Sequence, residues 1–428
     1  MKKYVNPSNE SWSSILTRPM FNVEELTGRV KSILNDIKLS GGHALRKYTE
    51  QFDGIYIPSF SVTEEEIEVA ASLLDIELKT AIEKAAKNIR LFHESQKPEL
   101  TKIETTPGVV CWQKAVAIEK VGLYVPGGSA PLFSSVLMLA IPAKIAGCKE
   151  IVLCTPPNKE GNIHPAILFA AKLVGVTQMF KLGGVQAIGA MAYGADCIPK
   201  VDKIFGPGNQ YVMAAKQLIS ISDVAIDMPA GPSEVAIMAD ESANPEFIAA
   251  DLLSQAEHGP DSQVVLVTNS ASVVDEVEKA LTKQLAKLSR KEIAAKALLN
   301  SVAIVIEEEE EEMVKLINEY APEHLIISMK NYTEVAEKII NAGSVFLGNY
   351  TPESAGDYAS GTNHTLPTNG WARSFSGVNL DSFLKKITFQ EISKEGIKNL
   401  GPVIETMAAA EELDAHKNAV TLRLNSLN

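Results

Sequence analysis

The sequence predicts an α/β protein made of two Rossmann-like parallel-sheet units, with an N-terminal extension and a small C-terminal helical tail. Three observations predict it. From about Ala115 to Asn349, apolar β-rich runs alternate with helical patterns, as expected where crossover helices cover both faces of parallel sheets. That run of units is too long for one small sheet, and the Pro/Gly-rich stretch Met228-Pro229-Ala230-Gly231-Pro232-Ser233 interrupts it. Beyond it, Glu405 to Leu424 reads as a helix and looks like an appendage.

The chain opens on Met1-Lys2-Lys3-Tyr4-Val5-Asn6-Pro7 without an apolar signal region, and no apolar run approaches the ~18 residues that span a bilayer, so a cytoplasmic protein is expected. Ile151-Val152-Leu153, Gln178 to Leu182, Val264 to Val267 and Val302 to Ile306 read as buried strands. Between them, His164 to Val174 and Ala271 to Ser289 read as helices. The acidic run Glu307 to Glu312 opens a helix whose N-terminal dipole favours carboxylates, which makes it a solvated face. Gly348 to Gly377 has neither helical nor strand periodicity, and a structureless stretch that long is usually functional. Lys385 to Pro402 then connects the tail to the core.

Composition narrows the function. A chain of 428 residues, 46% hydrophobic and 22% charged, holds two or three globular cores. Its net charge of −13 opposes nucleic-acid binding, which rests on clustered Lys and Arg, and favours a small-molecule partner. Cys111, Cys148, Cys154 and Cys197 form no C-x-x-C pair and read as buried thiols. A nucleophilic thiol at Cys148 or Cys154 is the rival chemistry.

Asn244-Pro245-Glu246 starts a helix and Gly259-Pro260 stops it, placing Gln255 and His258 in its last turn on one face. A carboxamide oxygen and an imidazole can share one metal ion there, although a histidine complementing the helix dipole is the blander account. Asp357 and His364 in the long loop, and Glu411 and His416 in the tail, repeat the pairing of oxygen with nitrogen donors. Such N/O sets without thiolate suit zinc or a similar divalent ion in a catalytic site. Tyr320-Ala321-Pro322-Glu323-His324 sets two proton-transfer groups side by side, or else an exposed pair on a loop. For phosphate groups the candidates are Leu123-Tyr124-Val125-Pro126-Gly127-Gly128, Gly183-Gly184-Val185-Gln186 and Phe205-Gly206-Pro207-Gly208-Asn209. No G-x-G-x-x-G occurs, so the glycines alone do not establish a dinucleotide site.

Taken together, these motifs resemble the histidinol dehydrogenase family over nearly the whole chain. The most specific strings are Gly206-Pro207-Gly208-Asn209, Ala230-Gly231-Pro232-Ser233-Glu234, Gln255-Ala256-Glu257-His258-Gly259, Ala321-Pro322-Glu323-His324-Leu325 and Asp414-Ala415-His416-Lys417-Asn418-Ala419-Val420. The resemblance implies oxidation of L-histidinol to L-histidine through an aldehyde, with two NAD per turnover and one zinc ion per site. It implies Gln255, His258, Asp357 and His416 as zinc ligands that also face substrate, and Ser233, His324, His364 and Glu411 as further substrate contacts. Tyr124, Gln186 and Asn209 would contact NAD, and Glu323 and His324 would be the acid-base pair, His324 with a pKa near neutrality. It also implies a homodimer whose sites are completed by the partner's tail, to which an apolar stripe through Leu413, Val420 and Leu424 is suited. The expected division is 1–22 as extension, 23–123 plus 235–380 as the metal and catalytic domain, 124–234 as the NAD side, and 381–428 as tail. One point of geometry stays open: on a continuous helix Glu412, not Glu411, aligns with His416.

Overall fold

The computed structural model describes residues 1–19, 23–127, 130–307 and 310–427. Gly128 of the first glycine run, Glu308 and Glu309 of the acidic run, and positions 20–22 at the end of the expected extension lie outside the described residues.

Two parallel sheets form the frame, as expected. The larger has six strands in the order Lys2–Val5, Val302–Val305, Gln263–Thr268, Glu234–Ala239, His324–Ser328, Ser344–Leu347. Its central strands EVAIMA and QVVLVT are buried at every position, which is why Val264 to Val267 of the second reads as an unbroken apolar run; the first lies outside the strands expected from the sequence. The smaller has five strands in the order Gln178–Lys181, Glu150–Thr155, Lys120–Tyr124, Lys203–Phe205, Ala225–Ile226. A third, antiparallel sheet joins Leu384–Ile392, Val109–Ala117 and Lys102–Thr106.

The domain division needs correction. The helices Val23–Ser40 and Gly42–Asp53 bury Ile33, Leu34, Ile37 and Leu45 in a core with Ile188, Val212 and Ile204 of the five-stranded unit. On the other face of that sheet, Ile67, Ile82 and Ile89 from Glu64–Leu73 and Ile76–Glu94 pack with Leu137, Leu153 and Ile167. Residues 23–94 therefore belong with the smaller sheet rather than with 235–380. The reason is available surface. The six-stranded sheet is already covered on one face by Pro245–Ala256, Ala271–Leu285 and Lys291–Leu299, and on the other by Asn9–Ile15 and Glu310–Tyr320. The expected boundary at 123 also cuts a strand, since Lys120–Tyr124 is the middle strand of the smaller sheet. Nor is the N-terminus a mere extension: Lys2–Val5 is an edge strand, and Trp12 lies in the core of the larger unit.

The tail also departs from expectation. Lys385 to Pro402 is no connector, because Leu384–Ile392 pairs along its whole length with Val109–Ala117 and the helix Lys394–Ala410 follows at once. The helix expected over Glu405 to Leu424 breaks after Ala410, turns through Glu412 at φ +58°, and resumes as Asp414–Asn425. This hairpin divides the apolar stripe. Leu424 packs over Gly401 and Val420 is buried, while Leu413 stays 43% exposed. Among the described residues, no helix is long and apolar enough to cross a membrane.

Candidate active site

The two sheets face the site with opposite ends. In the smaller sheet the strand order reverses beside Lys120–Tyr124, which opens a crevice at the carboxyl ends, the usual place for a ligand. Tyr124 and Gly206 to Asn209 stand there. Gly206 (φ +126°) passes so close to the Tyr124 carbonyl that a Cβ would collide with it. The loop is pinned from beneath by a buried ion pair: Lys216 Nζ meets Asp227 Oδ1 at 2.5 Å and donates to the Gly206 carbonyl at 2.7 Å, while Gly206 N–H donates to Asp227 Oδ2 at 2.8 Å. Tyr124 Oη accepts from Gly184 N at 3.0 Å, tying two of the glycine runs together. Gln186 is buried on the helix Gly184–Tyr193; its Nε2 donates to Asp53 at 3.4 Å, and its Oε1 has no partner. Asn209 is exposed and caps the helix Gln210–Ser220 through Tyr211 and Val212 N–H.

The larger sheet presents its amino ends instead. Glu234 and His324 begin adjacent parallel strands, and Ser233 and Glu323 precede them. The helix Pro245–Ala256 runs back against the strands, so its C-terminal end brings Gln255 to this edge, with His258 just beyond the helix rather than within its last turn. A cavity of about 100 Å³ spans the two edges, lined by Gly206, Pro207 and Gly208 on one side and Ser233, Glu323 and His364 on the other.

Glu323 and His324 are no exposed loop pair: they are 7% and 3% exposed. Their scaffold is the main chain of Glu234. Its N–H donates to Glu323 Oε2 at 2.9 Å, and its carbonyl accepts from Gln255 Nε2 at 2.9 Å and lies 3.2 Å from His324 Nδ1. His324 Nε2 faces Asp357 Oδ1 at 3.3 Å. His364 bridges the units, with Nδ1 2.8 Å from the Asp357 carbonyl and Nε2 3.0 Å from Ser135 Oγ. His258 is exposed, and its Nδ1 lies 3.4 Å from Ser233 Oγ.

This arrangement suits a divalent cation. Gln255 Oε1, His324 Nε2 and Asp357 Oδ1 are all buried without a hydrogen-bond partner, an expensive state for polar atoms that a cation would relieve. Ligand atoms of His324, Glu353 and Asp357 lie within 4.8 Å of one another. Of the expected zinc ligands, the fold gathers Gln255 and Asp357, with His258 at the rim. Glu411 and His416 are exposed on the tail hairpin and are not brought to the site of their own chain. Glu353 was missed by the sequence reading. It is 1% exposed with Oε2 unpartnered, one turn before Asp357 on the short helix Glu353–Tyr358. The i,i+4 pair of acids was the available signal.

Burial pushes Glu323 and Glu353 each up to about 8. Burial alone would lower His324, but the carboxylates of Glu353, Glu323 and Asp357 hold it at about 10, which corrects the expectation of a near-neutral imidazole. Burial raises Asp357, yet its contact with His324 brings it out below the usual carboxylate value. The rival thiols are core residues: Cys148 is pushed up to about 12, and Cys154, fully buried, is raised as well. Neither lines the cavity.

Comparison with known proteins places the whole chain among its relatives. The family model described as histidinol dehydrogenase matches residues 16–424. Histidinol dehydrogenase of Bacteroides thetaiotaomicron is 63% identical over 427 residues, covering 100% of both chains. That of Vibrio parahaemolyticus is 53% identical over 423 residues, covering 98% of this chain and 97% of its own. The crystal structure of histidinol dehydrogenase from Elizabethkingia anophelis matches with a TM-score of 0.98 at 56% identity, over 100% of this chain and 99% of that one.

Proposed function

Because the chain belongs to the histidinol dehydrogenase family, an NAD-dependent class of oxidoreductase, we propose that it oxidises L-histidinol to L-histidine through L-histidinal, using zinc and two NAD per turnover. The observation that carries this reading is the set of unpartnered donors of Gln255, His324 and Asp357 beside Glu323, which itself lines one cavity with Gly206, Pro207 and Gly208.

Gln255, His258 and Asp357 would hold the zinc together with the partner subunit's His416. A bound zinc supplies a grip for the imidazole and amine of histidinol, and a bound nicotinamide supplies the hydride acceptor. The protein's own groups handle the protons. His324 takes the alcohol proton while the carbon loses hydride, leaving the aldehyde. An aldehyde has no hydroxyl to deprotonate, so water must add first; Glu323 takes a proton of that water as its oxygen bonds to the carbonyl carbon, and His324 returns the alcohol proton to the carbonyl oxygen, which gives the hydrate and frees the imidazole. His324 then removes a proton from the hydrate as the second hydride leaves. For both residues to act as bases the carboxylate-rich field must be offset, and a cation held by Asp357 would do so, drawing His324 down from about 10 and favouring ionised Glu323. Ser233, His364 and the partner subunit's Glu411 complete the substrate contacts, and Tyr124, Gln186 and Asn209 receive the dinucleotide.

The homodimer belongs to the same reading, supported by apolar tail residues that the chain itself leaves uncovered: Val403, Met407 and Leu422 are 52%, 61% and 60% exposed. A cytoplasmic location, expected from the sequence, is part of it too. The deciding experiment counts NADH formed per histidinol consumed: two supports the four-electron reaction, and one, with aldehyde accumulating, rejects it.

A further inference from the structure

We propose that Arg18, outside the cavity and far from the other site residues in sequence, is a positioning residue for the Glu323–His324 pair and acts through Glu234. The proposal rests on the reading of that pair as the acid-base groups.

The guanidinium of Arg18 grips the Glu234 carboxylate with two parallel contacts, Nε to Oε1 at 2.5 Å and Nη2 to Oε2 at 3.0 Å. Both side chains are largely buried, at 14% and 3% exposed. This fork fixes direction as well as distance, which a lysine's point charge does not. Fixing Glu234 matters because its main chain holds the catalytic groups: the N–H goes to Glu323, and the carbonyl goes to Gln255 and faces His324. Arg18 also reaches the second segment that aims Glu323. Its Nη2 donates to the Tyr320 carbonyl at 2.7 Å, and its guanidinium lies 4.1 Å over the Tyr320 ring. Immediately after Tyr320 the chain turns through Ala321 at φ +51° to deliver Pro322, Glu323 and His324. Gln263 closes the ring of contacts, donating to the Thr17 carbonyl at 3.0 Å and accepting from Tyr320 Oη at 2.9 Å. A third segment joins at the same carboxylate, where Glu234 Oε1 accepts from Asn369 N at 2.7 Å, from the loop that carries His364. One guanidinium thus locks the strand, the turn and the loop whose mutual placement sets the position of Glu323.

A mere N-terminal staple would lower thermal stability and leave turnover by the folded enzyme unchanged. Positioning predicts a different pattern, because displacement of a catalytic group by about 1 Å costs up to about a hundredfold in rate. The test compares Arg18→Met, Arg18→Lys and Glu234→Gln with wild type in zinc content, KM for NAD, and kcat on histidinol and on histidinal. Arg18→Met is expected to keep its zinc and its KM for NAD within about twofold while kcat on the aldehyde falls by about tenfold or more, with Arg18→Lys intermediate. In a Glu323→Gln background, adding Arg18→Met should cost less than about threefold, because residues acting through one group are not additive. Full additivity, an unchanged kcat, or a loss that follows zinc content overturns the proposal. If Arg18→Met does not fold, Glu234→Gln is judged by the same criteria. Wild-type enzyme inert towards histidinol and NAD would reject the parent reading; an active wild type with an equally active Arg18→Met rejects only this one.

Discussion

His324 Nε2 and Asp357 Oδ1 face each other at 3.3 Å in the interior, and neither has any other partner. Gln255 Oε1 is orphaned close by, its amide nitrogen 3.0 Å from His324 Nδ1. Such atoms are rarely left unsatisfied in a folded interior, so the gap among them is the physical basis for a metal there.

His258→Ala and Asp357→Asn should each lose zinc and activity while both parallel sheets stay folded. Metal content measured beside the far-ultraviolet circular dichroism spectrum checks this. Full activity in a rigorously metal-free preparation would remove the role given to these residues.

Glu323→Gln keeps the side chain's shape but removes the base, so aldehyde oxidation should slow by about 10²- to 10⁴-fold, and more than alcohol oxidation does. Cys148→Ser and Cys154→Ser should leave turnover by the folded enzyme nearly unchanged. Their cost appears in stability, about 1–3 kcal/mol for a buried hydroxyl without a partner. Loss of aldehyde oxidation in either serine variant, with Glu323→Gln still active, would return the mechanism to a thiol.

Stability of the metal-free protein should fall as pH rises. Burial holds Glu323 and Glu353 at about 8 against an ordinary 4.5, and Asp251 at about 7 against 3.8. Each group binds its proton more tightly folded than unfolded, so its contribution is complete below the unfolded value and lost as pH passes the folded one. His324, raised from 6.5 to about 10, acts in the same direction. His364 is lowered by burial and acts oppositely, but only below 6.5. The thermal midpoint of chelated protein should therefore drop between about pH 6.5 and pH 9, and Asp251→Asn should flatten part of that slope. A midpoint that rises over this window contradicts the burial of these acids.

A central strand such as QVVLVT was legible because burial on both faces favours an apolar run, here Val264 to Val267, whereas EVAIMA, equally buried, follows directly on the Pro/Gly-rich stretch and was not among the expected strands. Partnership was not legible. Ile33, Leu34 and Ile37 declare an apolar helix face, but periodicity does not say which sheet it covers, so residues 23–94 were joined to the wrong unit. Gln255, Glu323 and Asp357 were found through local motifs, whereas Glu353 lies on a helix of only 6 residues inside a stretch without periodicity. Arg18 carried no local signal at all, since its meaning comes from Glu234, 216 positions away. The question of Glu411 against Glu412 dissolves for a related reason: it assumed a continuous helix, and the left-handed Glu412 breaks it.

Among the described residues, Glu411 to Ala419 are all exposed, and His416 lies on a hairpin anchored to the antiparallel sheet rather than to the site. That sheet is itself bare, with Ile103, Ile387 and Phe389 59%, 42% and 38% exposed, so apolar surface flanks the hairpin on the same appendage. Exchange of such an element between identical protomers would cover both surfaces and, in the proposed dimer, would carry His416 to the zinc site of the other chain. Co-expression of His258→Ala with His416→Ala distinguishes exchange from a tail that folds onto its own chain. With random pairing about half the dimers are mixed, and each has one intact site of two, so roughly a quarter of wild-type activity should return. If every tail serves its own chain, each site keeps one lesion and the mixture stays inactive.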